Sequence, residues 1–138
     1  MAKLRTAIDA NLLIAAWSGQ GFLFEQALIV LEDPERVLIV SDALWLEVMP
    51  KALYHAQVAE CAFYQAVFAR AECLVWSSEL VDSAKRLAQS YGLAAMDAIH
   101  IAVALAADAD EFISGEKPGK LMFRVREINT RSLWSIRA

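Results

Sequence analysis

Apolar positions along this chain fall into short continuous runs, separated by longer stretches where they recur at helical spacing. Leu4 to Ile8, apolar at its ends around Arg5 and Thr6, reads as a first strand, which Asp9 punctuates. Val37-Leu38-Ile39-Val40 predicts a second, of the β-branched kind that a parallel sheet buries on both faces. Cys73-Leu74-Val75-Trp76 predicts a third, Glu111-Phe112-Ile113-Ser114 a fourth, and Val125 to Asn129 a weaker fifth. Between them the pattern is helical. Asn11 to Trp17 opens a helix that Ser18-Gly19-Gln20-Gly21 breaks, and Phe22 to Leu31 forms another. Ser41 or Asp42 caps the next, which Pro50 interrupts, and Tyr54 to Ala71 is a long helix after it. Ser77 and Ser78 cap a helix to Tyr91, where Gly92 supplies a left-handed end. Met96 to Ala107 is apolar on nearly every face and belongs at the centre. Strands alternating with helices need right-handed crossovers. The expected fold is therefore α/β, a three-layer α/β/α sandwich around a central, mainly parallel sheet of about five strands.

Composition changes this picture little. The 138 residues suit a single domain, 1–138. Hydrophobic residues make up 58%, above the roughly 45–50% of an ordinary soluble domain. A membrane span is not the reason, because the longest apolar stretch, Ala98 to Ala107, falls well short of the ~20 residues a bilayer requires. No leader with a basic head and cleavage site is legible before Asp9, so a soluble, cytoplasmic protein is expected. Cys61 and Cys73 lack metal-site spacing and are read as buried free thiols.

Charge matters more by position than by sum. The net charge of −4 excludes a generally basic nucleic-acid coat. Yet Lys117, Lys120, Arg124, Arg126, Arg131 and Arg137 face a single acid, Glu127, over the last part of the chain. That segment is either a solvated tail or a surface that steers a phosphate backbone.

The acids carry the candidate chemistry. Asp9 follows the first strand, where it either caps the next helix or enters a site, since open α/β sheets bind ligands beyond their strands' carboxyl ends. Glu47 has Ala43, Leu44 and Val48 as helical neighbours, a costly setting unless it pairs, with Lys51 four residues on as the local partner, or binds metal. Asp97 opens the central helix, where it favours the helix dipole and points out of the sheet's end. Ser114 and Glu116 lie in the turn that leaves the fourth strand. In parallel topology Asp9, Glu47 and Asp97 meet at one end, and their mutual repulsion calls for a hard divalent cation, Mg²⁺ or Mn²⁺.

Three segments carry a resemblance. They are Thr6-Ala7-Ile8-Asp9-Ala10-Asn11-Leu12-Leu13-Ile14, Ser41-Asp42-Ala43-Leu44-Trp45-Leu46-Glu47-Val48, and the run from Ala84 through Gly92 to Met96-Asp97-Ala98-Ile99-His100. In this order and spacing the chain resembles the PIN-domain family of metal-dependent ribonucleases, and within it the VapC-type toxins of bacterial toxin–antitoxin pairs. The resemblance implies an endoribonuclease in which Asp9, Glu47 and Asp97 hold Mg²⁺ or Mn²⁺ and Glu116 assists. Asn11 and Ser114 would orient those carboxylates or water. Where the family commonly has Thr-x-Asp, this chain has Ser114-Gly115-Glu116, an acid longer by one methylene. A homodimer and a small antitoxin covering the acidic pocket are also implied.

His100, one turn after Asp97, reads either as a proton-transfer group or as a core histidine bonded to backbone or to Asp97. Trp17, Phe22, Leu23 and Phe24 flank the Gly-containing break and offer either core packing or a groove for a partner segment. Two rivals remain for the activity. One is a catalytically weak or inactive PIN-like binding module. The other is a phosphotransfer enzyme with a strand-end Asp nucleophile, which Asp9-Ala10-Asn11 does not favour. The stretch Gly115 to Lys120 lacks P-loop spacing.

Overall fold

The computed structural model describes residues 2–135. Its elements follow in the order β1 (Leu4–Ile8), α1 (Ala10–Ser18), α2 (Phe22–Leu31), β2 (Arg36–Ser41), α3 (Asp42–Tyr54), α4 (Val58–Arg70), β3 (Glu72–Leu74), α5 (Ser78–Tyr91), α6 (Ala95–Ala106), β4 (Glu111–Ser114) and β5 (Asn129–Ser132), with a 3₁₀ turn at Leu121–Arg124 before β5. The strands form one sheet in the order β3-β2-β1-β4-β5, and every pairing is parallel.

Alternation along the central strands builds two cores. Ile8, Leu38, Val40 and Ile113 face a layer formed by α1 to α4. Ala7, Ile39 and Phe112, one position out of phase, face α5, α6 and the 3₁₀ turn. The three-layer α/β/α arrangement expected from the pattern is thus the one observed. α5 buries Leu80, Ala84 and Leu87 along one stripe, whereas α6 buries residues on most of its faces.

Three boundaries differ from the sequence expectation by more than a residue. The long helix begins at Val58 rather than Tyr54, because α3 ends in a left-handed turn at Ala56 (φ 52°). There the Gln57 N–H donates to the Ala52 carbonyl and the Ala56 N–H to that of Leu53, the paired bonds of a Schellman end. The fifth strand is Asn129–Ser132, not Val125 to Asn129. Val125 and Ile128 are buried, but in the irregular segment that leads to the strand. β3 also stops at Leu74, and Cys73 on this edge strand is exposed, unlike the buried Cys61.

Toward the amino ends of the strands lies a buried ion cluster. Glu111 accepts hydrogen bonds from Thr6 Oγ1 (2.7 Å), Arg36 Nε (3.1 Å) and Arg131 Nη1 (3.0 Å), tying β1, β2, β4 and β5 together. Among the described residues no single helix is long and apolar enough to cross a membrane; α1 and α2 reach that length only as a pair bent by 114°.

Candidate active site

β1 lies inside the sheet, with β2 on one side and β4 on the other. The chain leaves it at Ile8 and turns directly into α1, so Asp9 stands beyond the carboxyl end of the strand where the connections diverge. Asp9 is the N-cap of α1, its Oδ1 accepting from the Leu12 N–H at 3.0 Å. The same oxygen accepts from the Gly115 N–H at 3.2 Å, and Oδ2 accepts from Ser114 Oγ at 2.5 Å. Capping and site geometry therefore belong to one carboxylate, not to rival readings. Burial raises its pKa, against the lowering effect of the bonds from Ser114, Leu12 and Gly115 and of nearby His100.

The turn after β4 packs against the start of α1. A Cβ at Gly115 would lie 2.7 Å from the Asn11 carbonyl carbon, so only glycine permits this approach. The approach brings Asn11 Nδ2 within 2.6 Å of Glu116 Oε1, to which it donates. Ser114 Oγ in turn accepts from the Glu116 N–H at 3.0 Å. Asn11 and Ser114 thus hold Glu116 and Asp9 respectively.

Asp97 sits in the first turn of α6, half-buried. Its pKa is raised chiefly by desolvation, then by the charges of Asp9 and Glu116, and also by Glu47, while His100 lowers it. Acids from α1, α3, α6 and the β4 exit therefore share one electrostatic neighbourhood.

Glu47 takes a different partner from the one spacing suggested. It stands at the exposed border of the stripe formed by Ala43, Leu44 and Val48, and its Oε1 lies 2.5 Å from His100 Nε2 on α6. His100 is buried, and its Nε2–H donates to this carboxylate rather than to backbone or to Asp97. Lys51, four residues on, does not pair with Glu47. Among the described residues no three acidic, histidine or cysteine side chains are placed to grip one metal ion together. The donors are nonetheless the oxygen ligands a hard dication takes, and the upward shift at Asp97, set first by desolvation and then by neighbouring acids, is of the kind such an ion would relieve. By the chemistry of its donors the group fits; Glu47 must turn from His100 to join the others.

A cleft of about 840 Å³ opens beside Glu116, the one of these acids that lines it. One wall is apolar, with Ile14, Phe22 and Leu23. Asn11, Glu116, Lys117, Lys120 and Trp134 line the rest. Of the aromatic group near the Gly break, Phe22 and Leu23 face this cleft, whereas Trp17 packs against Phe63 with ring centroids 5.8 Å apart. The basic carboxy-terminal segment divides in the same way. Lys117 and Lys120 reach the cleft, Arg131 is spent on Glu111, and Arg137 lies outside the described residues. Sequence reasoning did not single out Trp134, whose indole Nε1–H donates to the Gly115 carbonyl at 3.2 Å. The one available signal was a large aromatic residue standing among bases and polar residues.

Comparison with known proteins gives three findings. The family model for the PIN domain matches residues 6–117. The fold is similar to a chain of a toxin–antitoxin complex from Klebsiella pneumoniae, with a TM-score of 0.66 and 23% identity over 90% of this chain and 98% of that one. It is also similar to a chain in the crystal structure of VapBC2 from Rickettsia felis bound to a DNA fragment from its promoter, with a TM-score of 0.70 and 10% identity over 94% and 98% of the two chains. No curated protein matches the sequence.

Proposed function

The chain belongs to the PIN domain family, and on that premise we propose that it is a divalent-metal-dependent endoribonuclease, the toxin of a toxin–antitoxin pair. The observation that carries this reading is Asp97, whose carboxyl is pushed up by burial and by the charges of Asp9, Glu116 and Glu47. Holding the Asp97 carboxylate desolvated and beside other acids opposes folding, and an oxygen-seeking cation would offset that cost.

Asp9, Glu47 and Asp97 would hold Mg²⁺ or Mn²⁺, with Glu116 assisting. Bound there, the cation would neutralise charge growing on the scissile phosphate and make an attacking water more acidic. The protein's own part is positioning. Ser114 and the N–H groups of Leu12 and Gly115 fix both oxygens of Asp9, and Asn11 fixes Glu116. His100 holds Glu47 at the rim. The partner reading is supported by the similar folds found in toxin–antitoxin complexes and by the apolar wall of Ile14, Phe22 and Leu23, which a small antitoxin would cover. Exposed Leu46, Val75 and Trp76 give a homodimer an apolar surface.

The test is cleavage of total RNA by the purified chain in Mn²⁺, with the cut ends mapped. Asp9→Asn and Asp97→Asn are expected to lower the rate by at least about 100-fold while the circular dichroism of the fold is kept. An Asp97→Asn chain that cut as fast as the parent would overturn the assignment. One observation favours a second reading, a PIN-like module that binds without cutting: Glu47 is engaged by His100, and no three described acids are placed around a single ion. RNA bound but left intact at saturating Mn²⁺ would select it.

A further inference from the structure

Trp134 is 42% exposed, much as the other tryptophans are, but both its indole and its backbone are tied by hydrogen bonds. Its indole N–H is bonded to the Gly115 carbonyl, and its backbone N–H donates to Ser132 Oγ at 3.1 Å. Lys117 Nζ lies 5.6 Å from the ring centroid. An indole with its polar edge satisfied and its position fixed loses little freedom on binding, so its open surface is prepared for a flat ligand. Solvent alone would not require such anchoring.

The surroundings say which ligand. Trp134 lines the same cleft as Asn11 and Glu116, so the ring shares that cleft with one acid of the site. Lys117 and Lys120 line that cleft too, two cations beside an aromatic face in a chain whose net charge is −4. An aromatic platform with one ammonium group over its ring and a second in the same cleft combines the two elements that bind single-stranded nucleic acid, a ring for a base and cations for phosphate. An apolar peptide would find its match on the opposite wall, away from these charges.

We propose that Trp134, Lys117 and Lys120 form a nucleotide subsite in which one base of single-stranded RNA stacks on the indole while its flanking phosphates meet the two lysines. The subsite lies next to Glu116, so it would set where the strand lies relative to the acids and give the cut its register. The choice of RNA rests on the nuclease reading; the stacking itself does not.

Binding, not cleavage, tests it. A fluorescein-labelled single-stranded oligoribonucleotide of about eight residues is titrated with the full chain, in EDTA and again in Ca²⁺, and followed by anisotropy. Trp134→Ala is expected to weaken binding roughly 10- to 100-fold, and Trp134→Phe far less, as one lost base stack predicts. Lys117→Ala and Lys120→Ala should each lower the slope of log affinity against log salt by about 0.7. An oligonucleotide series with one abasic position supplies a readout on the unaltered protein. The parent should lose affinity when the stacked base is missing, and Trp134→Ala should not distinguish the two strands. Equal affinity of the parent for intact and abasic strands at every position overturns the subsite, as does a Trp134→Ala chain that binds RNA normally but no longer binds a protein partner. Base-dependent binding without any cleavage in Mn²⁺ supports the subsite and defeats the nuclease reading; cleavage without base-dependent binding does the reverse.

Discussion

Asp9 caps the start of α1 and meets the exit of β4 with one carboxylate. Its Oδ1 satisfies the orphan N–H of Leu12, as any N-cap does, and the Gly115 and Ser114 bonds then fix what remains of its geometry. Competing local explanations for a residue can both be true, and here the cap places the functional group. Asp97 allows the electrostatics to be tested. Burial first, and its acidic neighbours next, raise its pKa from the ordinary 3.8. The folded chain thus holds this proton more tightly than the unfolded one, so the contribution to stability is complete below 3.8 and is lost as pH rises through the higher folded value. In chelator, Asp97→Asn should therefore be at least as stable as the parent near neutral pH, with the advantage shrinking as the medium is acidified. Urea melts of both chains at neutral and acidic pH check this, and a parent clearly more stable than the variant at neutral pH would refute it. What the sequence could not disclose is the partner of Glu47. Lys51 stands four residues away, whereas His100 is 53 positions distant, and no local spacing points that far.

Among the elements, patterning located the strands of the interior and most helices, since burial on two faces demands unbroken apolar runs. It failed at the edges. β5 reads Asn-Thr-Arg-Ser, a polar strand that hydrophobicity cannot find, and the apolar residues before it belong to a buried but irregular segment. Short polar edge strands discourage pairing with other chains, so the signal is weak for a physical reason. The end of α3 was hidden differently, because Ala56 takes the left-handed turn that glycine usually announces. α6 ends in the same manner at Asp108 (φ 53°), where the Ala109 N–H donates to the Ala104 carbonyl. The strands are also joined by charge. Glu111 is buried and meets Arg36, Arg131 and Thr6, so removing it takes the partner from Arg36 Nε, in a side chain only 12% exposed, and leaves Asp33 alone to balance that guanidinium. Glu111→Ala is expected to destabilise the chain by about 3 kcal/mol. A fall in the urea midpoint at constant m-value is the expected signature, and an unchanged midpoint would show that the cluster contributes nothing net.

For the whole molecule, strand order decides what meets. β1 is central, the chain winds outward through β2 to β3 and returns on the other side as β4 and β5, and the acids gather where those directions part. Resemblance in the sequence foresaw which acids to examine; the order β3-β2-β1-β4-β5 supplies the reason they are neighbours. A cation bound only by the folded chain should stabilise it by about 2.7 kcal/mol at a hundred times its dissociation constant. Thermal melts in rising Mn²⁺ should therefore move upward, and Asp9→Asn should remove the shift; a parent whose melting temperature ignores millimolar Mn²⁺ would argue for a site that no longer takes metal. The same strand order also bears on synthesis. Asp9 and Ser114 are 105 positions apart, and β4 must slot in beside β1 before their hydrogen bond exists. A chain emerging amino end first displays Asp9 before β4 exists, and that carboxylate stays ungripped while the intervening residues are made. The grip on Asp9 therefore cannot form during synthesis until β4 itself has been made and paired.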